Sequence, residues 1–294
     1  MQVVIYGKRV KTEDKPYFQS LFNSLHEERI NAYIYSPLLE ELNTFVDFPG
    51  DIGIFENHLD FSIHKIDFVI TLGGDGTILE AITKVRDFGI PILGINMGRL
   101  GFLASTEKKK IPEAIRKLKA EMYEIDERSL LFLESSHDIF GEEKYALNDF
   151  TISKRDSSSM ITIHTYVNGD YLNTYWADGI IVATPTGSTG YSLSCGGPII
   201  FPNSGNFVIT PVAPHNLNVR PIVIPDDSVV SFEIEGRAEN FLCTLDSRFE
   251  VITSEQNIAI RKADFNIKLA QIDGKDFMKT MRSKLNWGKD PRNY

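Results

Sequence analysis

The chain has 294 residues, 42% of them hydrophobic, and carries a net charge of −9. That length suits one large domain or two ordinary ones, with enough apolar residues for a core that needs no disulfides. The acidic balance argues against a general nucleic-acid surface, which would present a basic face, but leaves room for a local pocket for a phosphorylated small molecule. No segment reads as a signal peptide, and no run reaches the ~18 apolar residues of a membrane span, so a soluble cytoplasmic protein with no membrane partner is expected. The two cysteines, Cys195 and Cys243, are read as reduced, buried thiols.

In chain order, QVVIY (2–6) predicts a strand. Phe18, Leu21, Phe22 and Leu25 follow at the spacing of one helix face. AYIY (32–35) is a second short strand, and LLEEL opens a helical stretch. IDFVITL (66–72) is a continuous apolar run rich in β-branched residues, which suits a strand buried on both faces. Ile78, Ala81, Ile82, Val85 and Phe88 then take helical spacing, with the helix expected to begin near Thr77, and IPILGIN (90–96) is another buried strand. Alternation of this kind implies parallel pairing with right-handed crossovers. Ile111, Ala114, Ile115 and Leu118 form the apolar face of a further helix with Pro112 near its start, and the lysines 108–110 read as its solvated beginning.

Beyond about residue 121 the pattern changes to alternation. Ile161, Ile163, Thr165 and Val167 face one way, and Asn168-Gly169 marks a hairpin. Runs of β character continue at GIIVATP, NFVITPV, SVVSFEI, NFLCTL and NIAIRKADFNIKLAQI, before DFMKTMRSKLNW returns to helical spacing. The expected fold is an α/β N-terminal domain with a Rossmann-like parallel sheet, then an all-β C-terminal domain and a C-terminal helix. The expected bounds are 1–120, 121–275 and 276–294.

The seam between the run at 66–72 and the following helix reads GGDGT. Glycine accepts unusual backbone angles and leaves room for close approach. A helix start brings free N–H groups and a positive dipole end, so the seam is an anion site in the making. A carboxylate beside a phosphate is repulsive unless it accepts a proton or shares a metal, and both belong to phosphoryl transfer. The Walker pattern and a clean G-x-G-x-x-G after a strand are absent from the chain. The residues alone therefore reach a phosphate-handling loop with a catalytic carboxylate, Asp75.

GGDGT resembles the shared loop of a superfamily that includes NAD kinases, diacylglycerol and sphingosine kinases, and phosphofructokinases. GINMGRLGFLA (94–104), LNDFTISK (147–154), DGIIVATPTGSTGYSLSCGGPII (178–200) and APHNLNVRPIVIP (213–225) resemble the NAD kinases in order and spacing. The resemblance implies ATP-dependent phosphorylation of NAD on the 2′-hydroxyl of its adenosine ribose, giving NADP, in a cleft between an α/β and an all-β domain. It further implies a homo-oligomer, dimer or tetramer, and a divalent metal cation, Mg²⁺ arriving with ATP.

Carried over residue by residue, Asp75 matches the base, and Gly74 and Gly76 let phosphates approach. Asn148 and Asp149 match the pair that holds one end of the dinucleotide, and Asp178 matches a contact on the nicotinamide side. Thr186, Thr189, Gly190, Tyr191, Ser192, Leu193 and Ser194 line its adenine and ribose, or alternatively cap a short helix. Gly190 stands where many relatives carry alanine. His215 and Arg220 read as structural. The chain departs from the family at Asp246-Ser247-Arg248, where relatives carry Asp-Gly-Gln. A lipid kinase sharing the loop and a non-catalytic nucleotide-binding protein are the alternatives.

Overall fold

A computed structural model describes residues 1–98, 101–155, 159–236, 239–272, 274 and 277–287. The chain forms two compact units, one of residues 1–127 with 267–294 and the other of residues 128–266. These divisions differ from the expected bounds at 120 and 275, because the last strand runs on out of the second unit and its end, with the C-terminal helix, packs in the first.

In the first unit, strands β1 (Gln2–Tyr6), β2 (Asn31–Tyr35), β3 (Ile52–Phe55), β4 (Phe68–Gly73) and β5 (Ile92–Asn96) lie in the order β5-β4-β1-β2-β3. All of these pairs are parallel, with Ile5 beside Ile70 and Gly73 beside Asn96. The crossovers are α1 (Lys15–Glu27), α2 (Ser36–Leu42), α3 (Leu59–His64) and α4 (Asp75–Val85). A two-residue strand, β6 (Thr106–Glu107), pairs with β5 and leads into α5 (Ile111–Lys119).

Phe18, Leu21, Phe22 and Leu25 of α1 and Ile111, Ile115 and Leu118 of α5 bury together against Ile5, Ile70 and Leu93. Burying each such side chain contributes roughly 1.5–3 kcal/mol, which is why these two helices form where their apolar spacing falls. Helix α4 starts at Asp75 rather than near Thr77, with Gly74 as its N-cap. It ends at Val85, where Arg86 takes φ +50°, so Phe88 lies past the helix and packs on Phe61 instead. The lysines 108–110 form a 3₁₀ turn before α5, with Lys108 paired to Asp14 at 2.6 Å.

The second unit is antiparallel. Its strands are β7 (Glu124–Ser135), β8 (Tyr145–Ala146), β9 (Asp149–Lys154), β10 (Ile161–Val167), β11 (Asp170–Ala177), β12 (Gly179–Ala183), β13 (Asn206–Val212), β14 (Ile222–Pro225), β15 (Val230–Glu235), β16 (Phe241–Leu245), β17 (Arg248–Ile252) and β18 (Ile258–Gln271). One sheet has the order β14-β13-β12-β9-β16-β17, and β11-β10-β15-β18 form another run. Their inner faces share a core in which Phe150 stacks on Phe232 at 5.6 Å.

The Asn168-Gly169 hairpin closes β10–β11 with φ +53° and +85°, the left-handed pair that such a turn requires. Every residue of β12 is buried. Ile180 and Val182 face the shared core, while Ile181 and Ala183 face Val208 and Ile200 under the segment that holds the short helix α6 (Tyr191–Ser194). The C-terminal helix α7 (Phe277–Leu285) belongs to the first unit. Among the described residues, no helix is long and apolar enough to cross a membrane.

Candidate active site

The GGDGT loop leaves the C-terminal end of β4, where parallel sheets place their ligands. Gly74 and Gly76 are exposed, and a Cβ added at either would meet nothing within 4 Å. The space over the loop is therefore open. Asp75 is the first residue of α4, and its carboxylate is fixed by three consecutive backbone amides. Phe102 N donates to Oδ2 at 2.7 Å, while Leu103 N and Ala104 N donate to Oδ1 at 3.1 and 2.9 Å. These amides come from the stretch 94–104, of which Arg99 and Leu100 lie outside the described residues. Gly101 allows the approach, since a Cβ there would fall 1.8 Å from Asp75 Oδ1. A carboxylate offers about four acceptor positions, so three amides leave one for a ligand hydroxyl.

In the second unit, the segment 147–149 lies on Asp246. The Asp246 carboxylate accepts Leu147 N at 2.9 Å, Asn148 N at 2.7 Å and Asp149 N at 3.2 Å, and Asp246 N donates to Asp149 O at 2.9 Å. Burial pushes the Asp246 carboxyl above its ordinary range, while those amides and Arg248 pull it back. Asn148 is half-buried, and its side-chain amide makes no hydrogen bond among the described residues. Asp149 is buried at 8% exposure; burial first and the charge of Asp246 second raise its carboxyl to about 7. Asp178 pairs with Lys154 at 2.6 Å.

The turn that follows β12 packs directly on this segment. Thr184 N donates to Asn148 O at 2.9 Å, and a Cβ on Gly187 would fall 1.9 Å from the same oxygen. A Cβ on Gly190 would lie 3.8 Å from Asp149 Oδ2, so the turn carries Gly190 and Tyr191 over the Asp149 carboxyl. Tyr191 is exposed; burial first, then Cys195, Asp149 and Asp178, raise its phenol. The structure thus brings Asn148, Asp149, Asp178, Gly190 and Tyr191 together in one unit, and Gly74, Asp75 and Gly76 in the other.

The hydroxyls of 186–194 do not cap a helix; no side-chain cap bond is made at the 3₁₀ turn or at α6. Thr186 Oγ1 accepts from buried Arg128 at 2.8 Å, Ser192 bonds Thr210 at 2.8 Å, and Thr189 donates to Thr186 O at 3.1 Å. Thr186 and Ser192 are buried, whereas Ser194 is exposed and Leu193 half-buried. His215 packs against Trp176 in a tilted arrangement with ring centroids 4.4 Å apart, and Arg220 donates to the carbonyls of Leu217 and Val219, so both serve local structure. Cys195 is half-buried rather than buried, Cys243 is buried, and both are free thiols.

Sequence reasoning missed the amides of 102–104, Gly101, Arg128 and the role of Asp246. For Asp246 the departure at 247–248 was a usable signal. The left-handed residue of that turn is Asp246, at φ +54°, so Ser247 sits where no positive φ asks for glycine.

A glycine-rich strand-to-helix loop holding a fixed carboxylate, on an α/β unit followed by an antiparallel one, defines the class of GGDGT-loop kinases. The family model for the ATP-NAD kinase N-terminal domain matches residues 38–123, and that for the ATP-NAD kinase C-terminal domain matches residues 147–272. NAD kinases of Cytophaga hutchinsonii and Flavobacterium johnsoniae are 46% and 43% identical over all of both chains, and that of Bacteroides fragilis is 43% identical over 99% of this one and all of its own. The fold is also that of yeast NADH kinase complexed with NADH (TM-score 0.89, 22% identity, 99% of this chain and 88% of that one). An NAD kinase from Archaeoglobus fulgidus in complex with ATP is similar too (TM-score 0.75, 21% identity, 97% and 99%). The chain belongs to the ATP-NAD kinase family. The C-terminal match covers the residues that a lipid kinase sharing only the loop would not explain, and a non-catalytic binding protein is likewise disfavoured.

Proposed function

We infer that this chain transfers the terminal phosphoryl group of ATP to the 2′-hydroxyl of the adenosine ribose of NAD, giving NADP and ADP. The observation that carries this reading is Asp75, held by three amides at the start of α4 below the open space over Gly74 and Gly76. The ribose oxygen attacks the γ-phosphorus, the bond to the β,γ-bridging oxygen breaks toward ADP, and the hydroxyl proton passes to Asp75. The three N–H bonds fix the carboxylate in place to receive that proton. The transition state is loose, so positioning supplies most of the catalysis.

Asn148 and Asp149 hold the dinucleotide, and Asp178, Gly190, Tyr191 and Ser194 line it. Thr186 and Ser192 act from beneath, through the fold of the turn, while Thr189 and Leu193 border the ligand. The unit of 1–127 carries phosphoryl transfer and the unit of 128–266 carries dinucleotide recognition. Among the described residues, no group of three His, Cys, Asp or Glu side chains is placed to hold a metal. Mg²⁺ enters as part of its ATP complex, held by phosphates.

The protein acts in the cytoplasm as a homo-oligomer, dimer or tetramer. Exposed Ile222 and Val223 on the edge strand β14 are consistent with assembly of either size; light scattering on the purified chain tests it. The activity is tested by following NADP formation from NAD, ATP and Mg²⁺, with Asp75→Asn in parallel. A base of this kind contributes about 10²–10⁴-fold. The variant is expected to fold, to retain NAD-induced thermal stabilisation and to lose at least ~10²-fold in kcat. Near-wild-type turnover would remove Asp75 from the base role.

A further inference from the structure

We propose that Asp246 and Arg248 are positioning residues that clamp the chain from 143 to 149 from both of its backbone polarities, and so set the Asn148–Asp149 pair for the dinucleotide. The proposal rests on the reading above that this pair binds NAD.

The geometry divides cleanly between the two residues. Asp246 takes the N–H groups of Leu147, Asn148 and Asp149, and its own N–H goes back to Asp149 O. Arg248, two residues on, points its guanidinium at the other end of the segment. Its two terminal nitrogens donate to the carbonyl oxygens of Glu143 and Tyr145. Its side chain also lies 3.5 Å from the Glu143 carboxylate and over the rings of Phe140 and Tyr145, at 5.8 and 5.9 Å from their centroids. Between the two, five backbone groups from residues 143 to 149 are held by side chains of one tight turn.

That turn is rigidly placed. Leu245 pairs with Arg248 across β16–β17, and β16 pairs along β9 with Leu245 beside Phe150. The clamp is thus tied to the strand that begins at Asp149. Guanidinium is the group best suited to the carbonyl side, since its fork presents several donors in one plane. A glutamine at 248 offers a single NH₂ with two donors on a shorter stem, against the five of the guanidinium fork. The arginine is thereby committed to the backbone of this segment.

The test compares wild type with Arg248→Gln, Arg248→Ala and Asp246→Asn, using NAD and ATP as probes. Hydrogen exchange at Leu147, Asn148 and Asp149 is measured without ligand, and KM and kcat are measured for each substrate. Expected are faster exchange at the three amides and a KM for NAD raised about tenfold in Arg248→Ala, less in Arg248→Gln, with KM for ATP and kcat within about twofold, because only ground-state positioning of one substrate is lost. In Asp246→Asn the pH dependence of NAD affinity, set by Asp149, shifts to lower pH as a neighbouring negative charge is removed. The titratable groups of the overlying turn that interact with Asp149 are Tyr191 and Cys195, and Asp246→Asn leaves both unaltered.

Unchanged exchange and unchanged KM for NAD in Arg248→Ala overturn the clamp while leaving the assignment of Asn148 and Asp149 standing. Parallel losses in both KM values and kcat overturn it as well, by marking a general loss of structure; Arg248→Gln serves should Arg248→Ala fail to fold. Asn148→Ala probes the underlying reading. An unchanged KM for NAD in that variant removes the binding role of the pair, and the positioning role of the clamp falls with it.

Discussion

Asp75 and Gly101 fit each other. A Cβ on Gly101 would lie 1.8 Å from Asp75 Oδ1 and 2.6 Å from Oδ2, so the carboxylate occupies the space that any other residue at 101 would fill. The atom that must yield is the end of a side chain, not backbone, so Gly101→Ala is expected to fold. The carboxylate would swing off the amides of 102–104 and lose its aim. A displacement near 1 Å at a reacting group costs about 10²-fold in rate. The expected result for Gly101→Ala is kcat down ~10²-fold with KM for NAD little changed. A full-rate enzyme would show that the seat of Asp75 has no part in turnover.

Asp149 leads to a pH prediction. Its carboxyl is raised from 3.8 to about 7 in the fold. Between those values the unfolded chain has lost the proton and the folded chain keeps it, so stability falls as pH rises from about 4 to about 7 and is level above. The full contribution is at most about 4 kcal/mol. Asp149→Asn removes the titration. It is expected to raise the melting temperature relative to wild type at pH 8, where the wild-type carboxylate is charged, and to change it little at pH 5. Thermal melts at the two pH values decide it; an equal shift at both would mean that ionisation of Asp149 carries no stability. The same variant is expected to bind NAD more weakly at pH 8, which would mark a residue kept for binding at a cost in stability.

The parts of this molecule that were legible in its sequence are the ones written in local spacing. The run 66–72, the glycine loop and the four apolar positions of α4 lie in one continuous stretch, and the structure buries Ile78, Ala81, Ile82 and Val85 as that spacing requires. Asn168-Gly169 carries its own backbone angles, so its hairpin needs no distant partner. The short β3 and α3 went unseen. β3 has only one buried residue, Phe55, and α3 has only Phe61, too few for a period to emerge. What holds the site is less local still. Asp75 meets amides about thirty residues later, Arg128 meets Thr186, and Asp246 meets Leu147 across 99 positions. Spacing along the chain contains no trace of such contacts, and only the resemblance directed attention to the stretches that make them.

The two thiols should react differently. Cys243 is buried, and burial with the nearby Glu250 pushes its thiol up to about 12. Cys195 is half-buried next to Tyr191; burial raises its thiol, with Tyr191 pulling it back. The thiolate is the reactive form. Maleimide at pH 7.5 is therefore expected to label Cys195 alone, more slowly than free cysteine, and NAD should slow it further if Tyr191 lines the dinucleotide. Peptide mass mapping reads the outcome. Labelling of Cys243 in the folded protein would contradict its burial, and indifference to NAD would move the ligand away from Tyr191.

Gly187 differs from Gly101 in what stands against it. A Cβ there would lie 1.9 Å from Asn148 O, 2.4 Å from Asn148 C and 2.7 Å from its Cα, all backbone atoms. None can rotate away, and Asn148 O is already bonded to Thr184 N. The added methyl must push the 184–190 turn off the segment that Asp246 holds from the other side. Overpacking of this kind costs typically 1–3 kcal/mol and occasionally more. Gly187→Ala is expected to lower stability by about that amount, and also to raise KM for NAD, because Gly190 and Tyr191 move with the turn while Asn148 and Asp149 stay clamped. Denaturant unfolding gives the first quantity and steady-state kinetics the second. Loss of stability with an unchanged KM for NAD would separate the turn from dinucleotide recognition, leaving it a purely structural cover over β12.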